Sequence, residues 1–263
     1  MRRIVCAVSL LALVGSLPVA VQAGWIAEWQ NVPVKSTGER QEAQSSTMTI
    51  SNGQARLAQP DSITVIDYNK GRFTLMNPQR EFFWSGSVDE YIAEMSKARA
   101  ETLRQRAGRK SGAPVQTPKV DSGSLPPLTI QKTSETKTIA GHETTKYVVH
   151  VDGQLFQELW VAADLNLSKD LDPAKFLTYQ QKMSAVRMGK SAGAFNALYR
   201  NEEYRKLLEN GFVLRTVTHH IAGSFERTAT SIRSEAVPAS TFAVPDSYRR
   251  VRLKDVLPAK QQG

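Results

Sequence analysis

The sequence predicts an α+β protein in which an antiparallel sheet is covered by helices on one face. Three observations carry this. Short alternating segments are joined by Asn-Gly and Asp-Gly pairs, which suit a two-residue hairpin turn because both central residues need positive φ. Helical segments fall between runs of strands instead of alternating with them, which disfavours doubly wound parallel folds. At 263 residues, 41% apolar and 22% charged, the chain suits one large domain or two small ones and is too polar for a multi-span membrane protein.

The first hairpin places Met48, Ile50, Ala55 and Leu57 on one face around Asn52-Gly53, with Thr49 and Arg56 on the other. Ser62–Asp67 reads as the next strand, and Asn69-Lys70-Gly71 turns the chain into Arg72–Met76. Ser87 and Glu90 form a capping box, with Asp89 complementing the helix dipole. Val88, Tyr91, Ile92, Met95 and Ala98 then recur at helical spacing, and Gly108 is a stop. Residues 108–127, rich in Ser, Gly and Pro, read as a basic loop.

Strands resume at Leu128–Lys137. Thr144–Val151, Asp152-Gly153 and Gln154–Ala162 make a second hairpin, predicted to place Thr145, Tyr147, Val149, Phe156 and Trp160 on one face. Asp172-Pro173 starts a helix with the stripe Phe176, Tyr179, Met183 and Val186. The small residues around Gly189–Ala194 read as its break, Asn201 caps a short helix ending at Gly211, and Phe212–His219 and Ser224–Ser234 are the last strands.

The start of the chain reads as an export signal. Arg2 and Arg3 precede an apolar run from Ile4 to Val21, and Val21-Gln22-Ala23 offers small residues for cleavage before Gly24. Removal of residues 1–23 takes away Cys6, the sole cysteine, and with it disulfides, thiol catalysis and Cys-ligated metals. The expected organisation is a leader (1–23), one α+β domain (24–248) and a basic tail (249–263), in a periplasmic or secreted protein.

The net charge of +9 is unevenly placed. Lys97, Arg99, Arg104, Arg106, Arg109, Lys110 and Lys119 face a lone Glu101 between Lys97 and Val120, and the tail holds five bases to one acid. Arg104, Arg106, Arg109 and Lys110 are the candidates for contact with an anionic membrane surface; the alternative is a solvated linker. Nucleic acid is not an expected partner, since no aromatic residue is interleaved with these bases.

No motif points to catalysis, a cofactor or a metal. Gly189-Lys190-Ser191 lacks the upstream Gly and strand of a phosphate-binding loop. The acidic stretch from Asp164 places Lys169 and Lys175 where a calcium loop needs Gly and Glu. His219 and His220 face opposite sides of a strand, His142 and His150 have no compelling carboxylate spacing, and there is no G-x-S-x-G elbow. Trp84, Tyr147, Val149, Phe156, Trp160 and Met183 are the candidates to line a cavity for an apolar ligand; the same residues also suit an ordinary core.

Three segments stand in order along the chain: Phe82-Phe83-Trp84, then Ile139–Tyr147 with Glu158–Asp164, then Val237–Tyr248. Together they resemble an exported bacterial family classified as a domain of unknown function, which looks related to the LolA/LolB lipoprotein-carrier fold. The resemblance implies a curved antiparallel half-barrel over helices with an apolar concavity, and a non-enzymatic role in holding a lipid or lipoprotein acyl chain. The alternative function is an envelope assembly module with a filled core. The basic stretch at 97–127 departs from a simple carrier.

Overall fold

The computed structural model describes residues 21–109, 125–184, 190–220 and 222–257, with the side chains of 21, 22, 99, 102–109 and 190–192 outside that description. The first half contributes β1 (Val21–Lys35), β2 (Gln44–Ser51), β3 (Gln54–Gln59), β4 (Ser62–Asp67), β5 (Arg72–Asn77), β6 (Phe82–Ser87) and α1 (Val88–Arg109). The second half contributes β7 (Leu128–Ile139), β8 (His142–Val151), β9 (Gln154–Ala162), α2 (Pro173–Ser184), α3 (Lys190–Arg200), α4 (Glu202–Glu209), β10 (Phe212–His220) and β11 (Gly223–Pro238). β12 (Arg249–Arg250) and α5 (Leu253–Val256) close the chain.

The strands form one twelve-stranded sheet in the order β12-β6-β5-β4-β3-β2-β1-β11-β10-β9-β8-β7, antiparallel except where β12 joins β6. Two meanders, β2–β6 and β7–β11, are fused by the long pairing of β1 with β11. Both predicted turns form with positive φ, at Asn52 (50°) and Gly53 (71°) and at Asp152 (52°) and Gly153 (71°). The first hairpin has the expected register, Met48 opposite Leu57 and Ile50 opposite Ala55.

Register shifts at Glu28/Trp29, Lys132/Thr136, Val149/His150 and Val213/Arg215 bend the sheet, because an unpaired residue increases local twist. The result is an open, curved sheet whose edges are β12 and β7. Helices α1 and α5 pack on β5 and β6, and α2 packs on α1, α3 and α4. We call the helix-covered side the inner face. Its aromatic cluster under α1, α2 and α5 holds Phe73, Trp84, Tyr91 and Tyr179, and a second cluster joins Val149, Leu159 and Val161 to Leu177, Leu198 and Leu207. The opposite face of the first meander is covered by the segment after β11, with Val65, Met76, Val237 and Phe242 buried together.

The capping box forms as predicted: Ser87 N–H donates to Glu90 Oε2 (2.6 Å) and Glu90 N–H to Ser87 Oγ (3.0 Å). Asp172 caps α2 through Ala174 N–H (2.9 Å), and Asn201 caps α4 through Tyr204 N–H (2.9 Å).

Four expectations change. The sequence reading places no strand ahead of the first hairpin, yet β1 is the longest partner of β11; it carries apolar side chains on both faces, so its alternation is weak. Val21–Ala23 pair with Ala236–Pro238, so cleavage before Gly24 would shorten this strand. Residues 249–257 are not a tail: Leu253, Val256 and Leu257 are buried in the aromatic cluster. The break expected around Gly189–Ala194 comes earlier: α2 ends at Ser184, residues 185–189, with Val186 of the expected stripe, lie outside the described residues, and the small residues from Ser191 to Ala194 belong to α3, where Ala194 and Ala197 allow close packing.

The fourth concerns Trp160. Val149 pairs with Gln157 but His150 with Leu155, leaving Phe156 as an extra residue. This bulge reverses the alternation, so Leu159 and Val161 lie opposite Tyr147 and Thr145, while Trp160 lies opposite Lys146. Trp160 therefore does not share the face of Tyr147 and Val149. Residues 110–124, most of the expected basic loop, lie outside the described residues.

Candidate functional site: the covered inner face

The middle of the inner face, over β1, β2 and β3, is covered by an irregular segment, residues 163–172, between β9 and α2. Leu165 and Leu167 from this strap are buried with Ala27, Trp29, Ile50 and Ala55. Its far end is tied by polar bonds. Gly53 N–H donates to Asp170 O (2.7 Å), and Trp25 Nε1 donates to Asp170 Oδ2 (3.1 Å). Lys175 Nζ reaches Asn69 Oδ1 (2.8 Å), and Asn69 Nδ2 returns a bond to Asn52 O (3.1 Å). At its near end, His142 Nδ1 lies 2.7 Å from Asp164 Oδ2, a pairing that sequence spacing did not suggest.

The six candidate cavity residues do not converge on one wall. Tyr147, Val149 and Phe156 pack under α2, α3 and α4, with Phe156 edge-on to Phe195. Trp84 and Met183 belong to the aromatic cluster, where Trp84 Nε1 donates to Glu94 Oε1 (3.2 Å). Trp160 has Lys146 (5.0 Å) and Arg215 (4.5 Å) over its ring and is buried in the same cluster as the strap residues Leu165 and Leu167. Trp84 also borders a groove of about 600 Å³ with Glu94, Arg249, Arg250 and Arg252, and a second groove of about 450 Å³ runs between α2 and α4 past Gln181 and Arg205.

Of the anionic-surface candidates, Arg104, Arg106 and Arg109 stand on α1 with their side chains outside the described atoms, and Lys110 lies outside the described residues.

Charge on the outer side is paired. Lys146 Nζ bonds Glu158 (2.7 Å) and Glu135 (3.1 Å), and His219 Nε2 meets Glu158 (3.1 Å). Burial works against the Glu158 carboxylate, but hydrogen bonds from Lys146 and His219 hold its pKa below the ordinary value. The same bond to Glu158 holds the Lys146 ammonium above its usual range despite burial. On the inner side, burial pushes the Tyr68 and Tyr179 phenols up, so both stay neutral there.

Arg227, by contrast, belongs to the inner face by register, opposite Asn31 and Thr216, with its guanidinium 4.1 Å from the Trp29 ring centre. Its Nε and Nη2 are shielded from solvent and have no hydrogen-bond partner among the described residues; the same holds for Trp29 Nε1 and Gln157 Oε1. Burial pushes the Arg227 pKa down to about 10. Sequence reading missed Arg227, because one arginine in a polar strand carries no local signal.

Among the described residues no group of three His, Cys, Asp or Glu side chains is placed to hold a metal ion, and no helix is long and apolar enough to cross a membrane.

The fold and site together define an open, almost wholly antiparallel α+β sheet with a largely apolar inner face under helices and a strap. Residues 124–248 match the family model described as "Domain of unknown function (DUF4412)", which bears out the resemblance to a domain of unknown function over Ile139–Tyr147, Glu158–Asp164 and Val237–Tyr248; Phe82-Phe83-Trp84 lies ahead of the matched residues. No curated protein matches. Among solved structures, PNGF-II shares 13% identity over 88% of this chain and 31% of its own, with a TM-score of 0.38. The Pseudomonas aeruginosa MucA/MucB complex shares 12% over 90% of this chain and 62% of the other, with a TM-score of 0.36. A domain named for outer membrane lipoprotein sorting from Vibrio parahaemolyticus shares 11% over 83% and 88%, with a TM-score of 0.28. This chain thus spans about a third of the length of PNGF-II. At such identities and TM-scores these likenesses say nothing of activity or ligand.

Proposed function

We propose that this chain is an exported, non-enzymatic binding protein of the bacterial envelope, which takes an apolar chain between the inner face of its sheet and the cover above it. The observation that carries this reading is the strap. The apolar centre of the inner face is closed by irregular chain fastened through Asp170 and Asn69, whereas its flanks are closed by packed helices. Lifting such a segment exposes Leu165 and Leu167 and breaks the bonds at Asp170, but it does not require a packed helix to leave the sheet. Capture of an acyl chain there gains roughly 0.8 kcal/mol per buried methylene. The leader pattern supports the address, and the basic stretch that includes Arg104, Arg106, Arg109 and Lys110 would add attraction to anionic head groups.

A second reading is an envelope assembly module with a filled core. It is favoured by the tight packing of the candidate cavity residues, with Val149 at 0% and Trp160 at 3% exposure. Organic extraction of the purified full chain, followed by mass spectrometry, separates the two. Stoichiometric co-purified lipid supports the binding protein. A lipid-free chain that also ignores added fluorescent fatty acid refutes it in favour of the module.

A further inference from the structure

We infer that Arg227 is the receptor for one oxyanion, a carboxylate or phosphate group, held on the inner face beside Trp29. The inference deepens the proposed binding role by naming the head of the ligand, and its test separates the two. A guanidinium keeps its charge at neutral pH even when burial disfavours it. Native proteins pair buried charges, since desolvation strongly disfavours an isolated one. Here the acids nearest in register are on the opposite face and already committed. Glu226 holds Arg40 (2.8 Å) and Arg215 (3.6 Å), Glu28 holds Arg233 (3.1 Å), and Glu158 holds Lys146 and His219. The register neighbour Asn31 spends its amide N–H groups on Gln44 O (3.0 Å) and Ser46 Oγ (2.9 Å).

The vacant donors have a direction. Nε–H and Nη2–H lie on the same edge of the guanidinium, the edge that grips two oxygens of a carboxylate or phosphate at once. Trp29 adds a third N–H without an acceptor, and its ring holds the guanidinium plane by stacking. The site thus offers three N–H donors, and the shielded acceptors without a partner among the described residues, Gln157 Oε1 and the Ser231 hydroxyl, are both uncharged.

The test uses the full chain after delipidation, with dodecanoate, dodecanol and inorganic phosphate as probes, and compares wild type with Arg227→Met and Arg227→Lys. Thermal midpoint and isothermal titration are read together. The expected result is that an anionic probe stabilises wild type, binds Arg227→Met at least about tenfold more weakly, and binds Arg227→Lys with intermediate affinity because the two-pronged grip is lost. Dodecanoate far ahead of phosphate identifies the oxyanion as the head of an apolar chain; equal effects identify a free anion and refute the acyl-chain reading while the Arg227 site stands. Dodecanol and dodecanoate binding alike to wild type and Arg227→Met overturns the Arg227 site but leaves the acyl-chain reading intact. No response of wild type to any probe overturns both. Should Arg227→Met fail to fold, Arg227→Lys and the anion dependence of wild type decide the same question.

Discussion

Replacing Asp170 with Ala tests whether the strap is an independently opening unit. The substitution removes the acceptor of Trp25 Nε1, a part-buried bond of 3.1 Å to a carboxylate, and leaves the backbone bond from Gly53 N–H to Asp170 O in place. A hydrogen bond to a charged group contributes about 1.5–3 kcal/mol when buried, and partial exposure brings this to about 1–2 kcal/mol. That loss lowers the cost of lifting the strap and raises its open population about 5–30-fold. Native-state hydrogen exchange reads it directly. The Gly53 amide, whose partner is Asp170 O, is expected to exchange faster by that factor, while the amides of Leu159 and Tyr147 in the β8–β9 pairing keep their rates. Unchanged exchange at Gly53 would mean that the bond contributes nothing to closure. Uniform acceleration across β8 and β9 would mean that the strap opens only when the whole domain does, and the reasoning behind a gated inner face would fail.

Asp172→Ala removes the cap of α2 and is expected to cost about 1 kcal/mol in denaturant unfolding, with Asp172→Asn nearly neutral. Leu159 is 1% exposed between the sheet and the helices, so Leu159→Ala should destabilise by about 2–5 kcal/mol and lower the thermal midpoint by about 5–15 °C. Trp160→Asp places a carboxylate where an indole is buried beneath two cations, and circular dichroism should report a chain that is unfolded or has lost several kcal/mol; a stable variant would contradict the burial described here. Because the folded pKa of Glu158 lies below its unfolded value of about 4.3, its contribution to stability is present above that pH and is lost as pH falls through the folded value. Glu158→Gln should therefore flatten the acid limb of the stability profile, and an unchanged limb would show that the Lys146–Glu158–His219 group does not contribute.

Much of the architecture was legible from local chemistry. The Asn52-Gly53 and Asp152-Gly153 turns, the Ser87 capping box and the caps at Asp172 and Asn201 are all decided by residues within four positions of one another. β1 was not legible, since its identity as a strand depends on β2 and β11, which lie on either side of it in space and far from each other in the chain. The candidate site divided in the same way. That Tyr147, Val149 and Phe156 would be covered followed from their composition, but the bulge at Phe156 turned Trp160 to the other face, and periodicity alone assumes no extra residue.

The sequence by itself determined the α+β class, the hairpins, the helix starts, the cysteine-free composition beyond Cys6 and the leader pattern, because each rests on near neighbours or on counting. Only the tertiary structure decided that residues 249–257 join the core, that 163–172 lie across the middle of the inner face, and that Arg227 sits beside Trp29 with two nitrogens unpartnered among the described residues. The physical reason is that burial and pairing are properties of a residue's neighbours in space. The strands that surround Arg227 are drawn from both ends of the chain, and their register is set by the whole sheet.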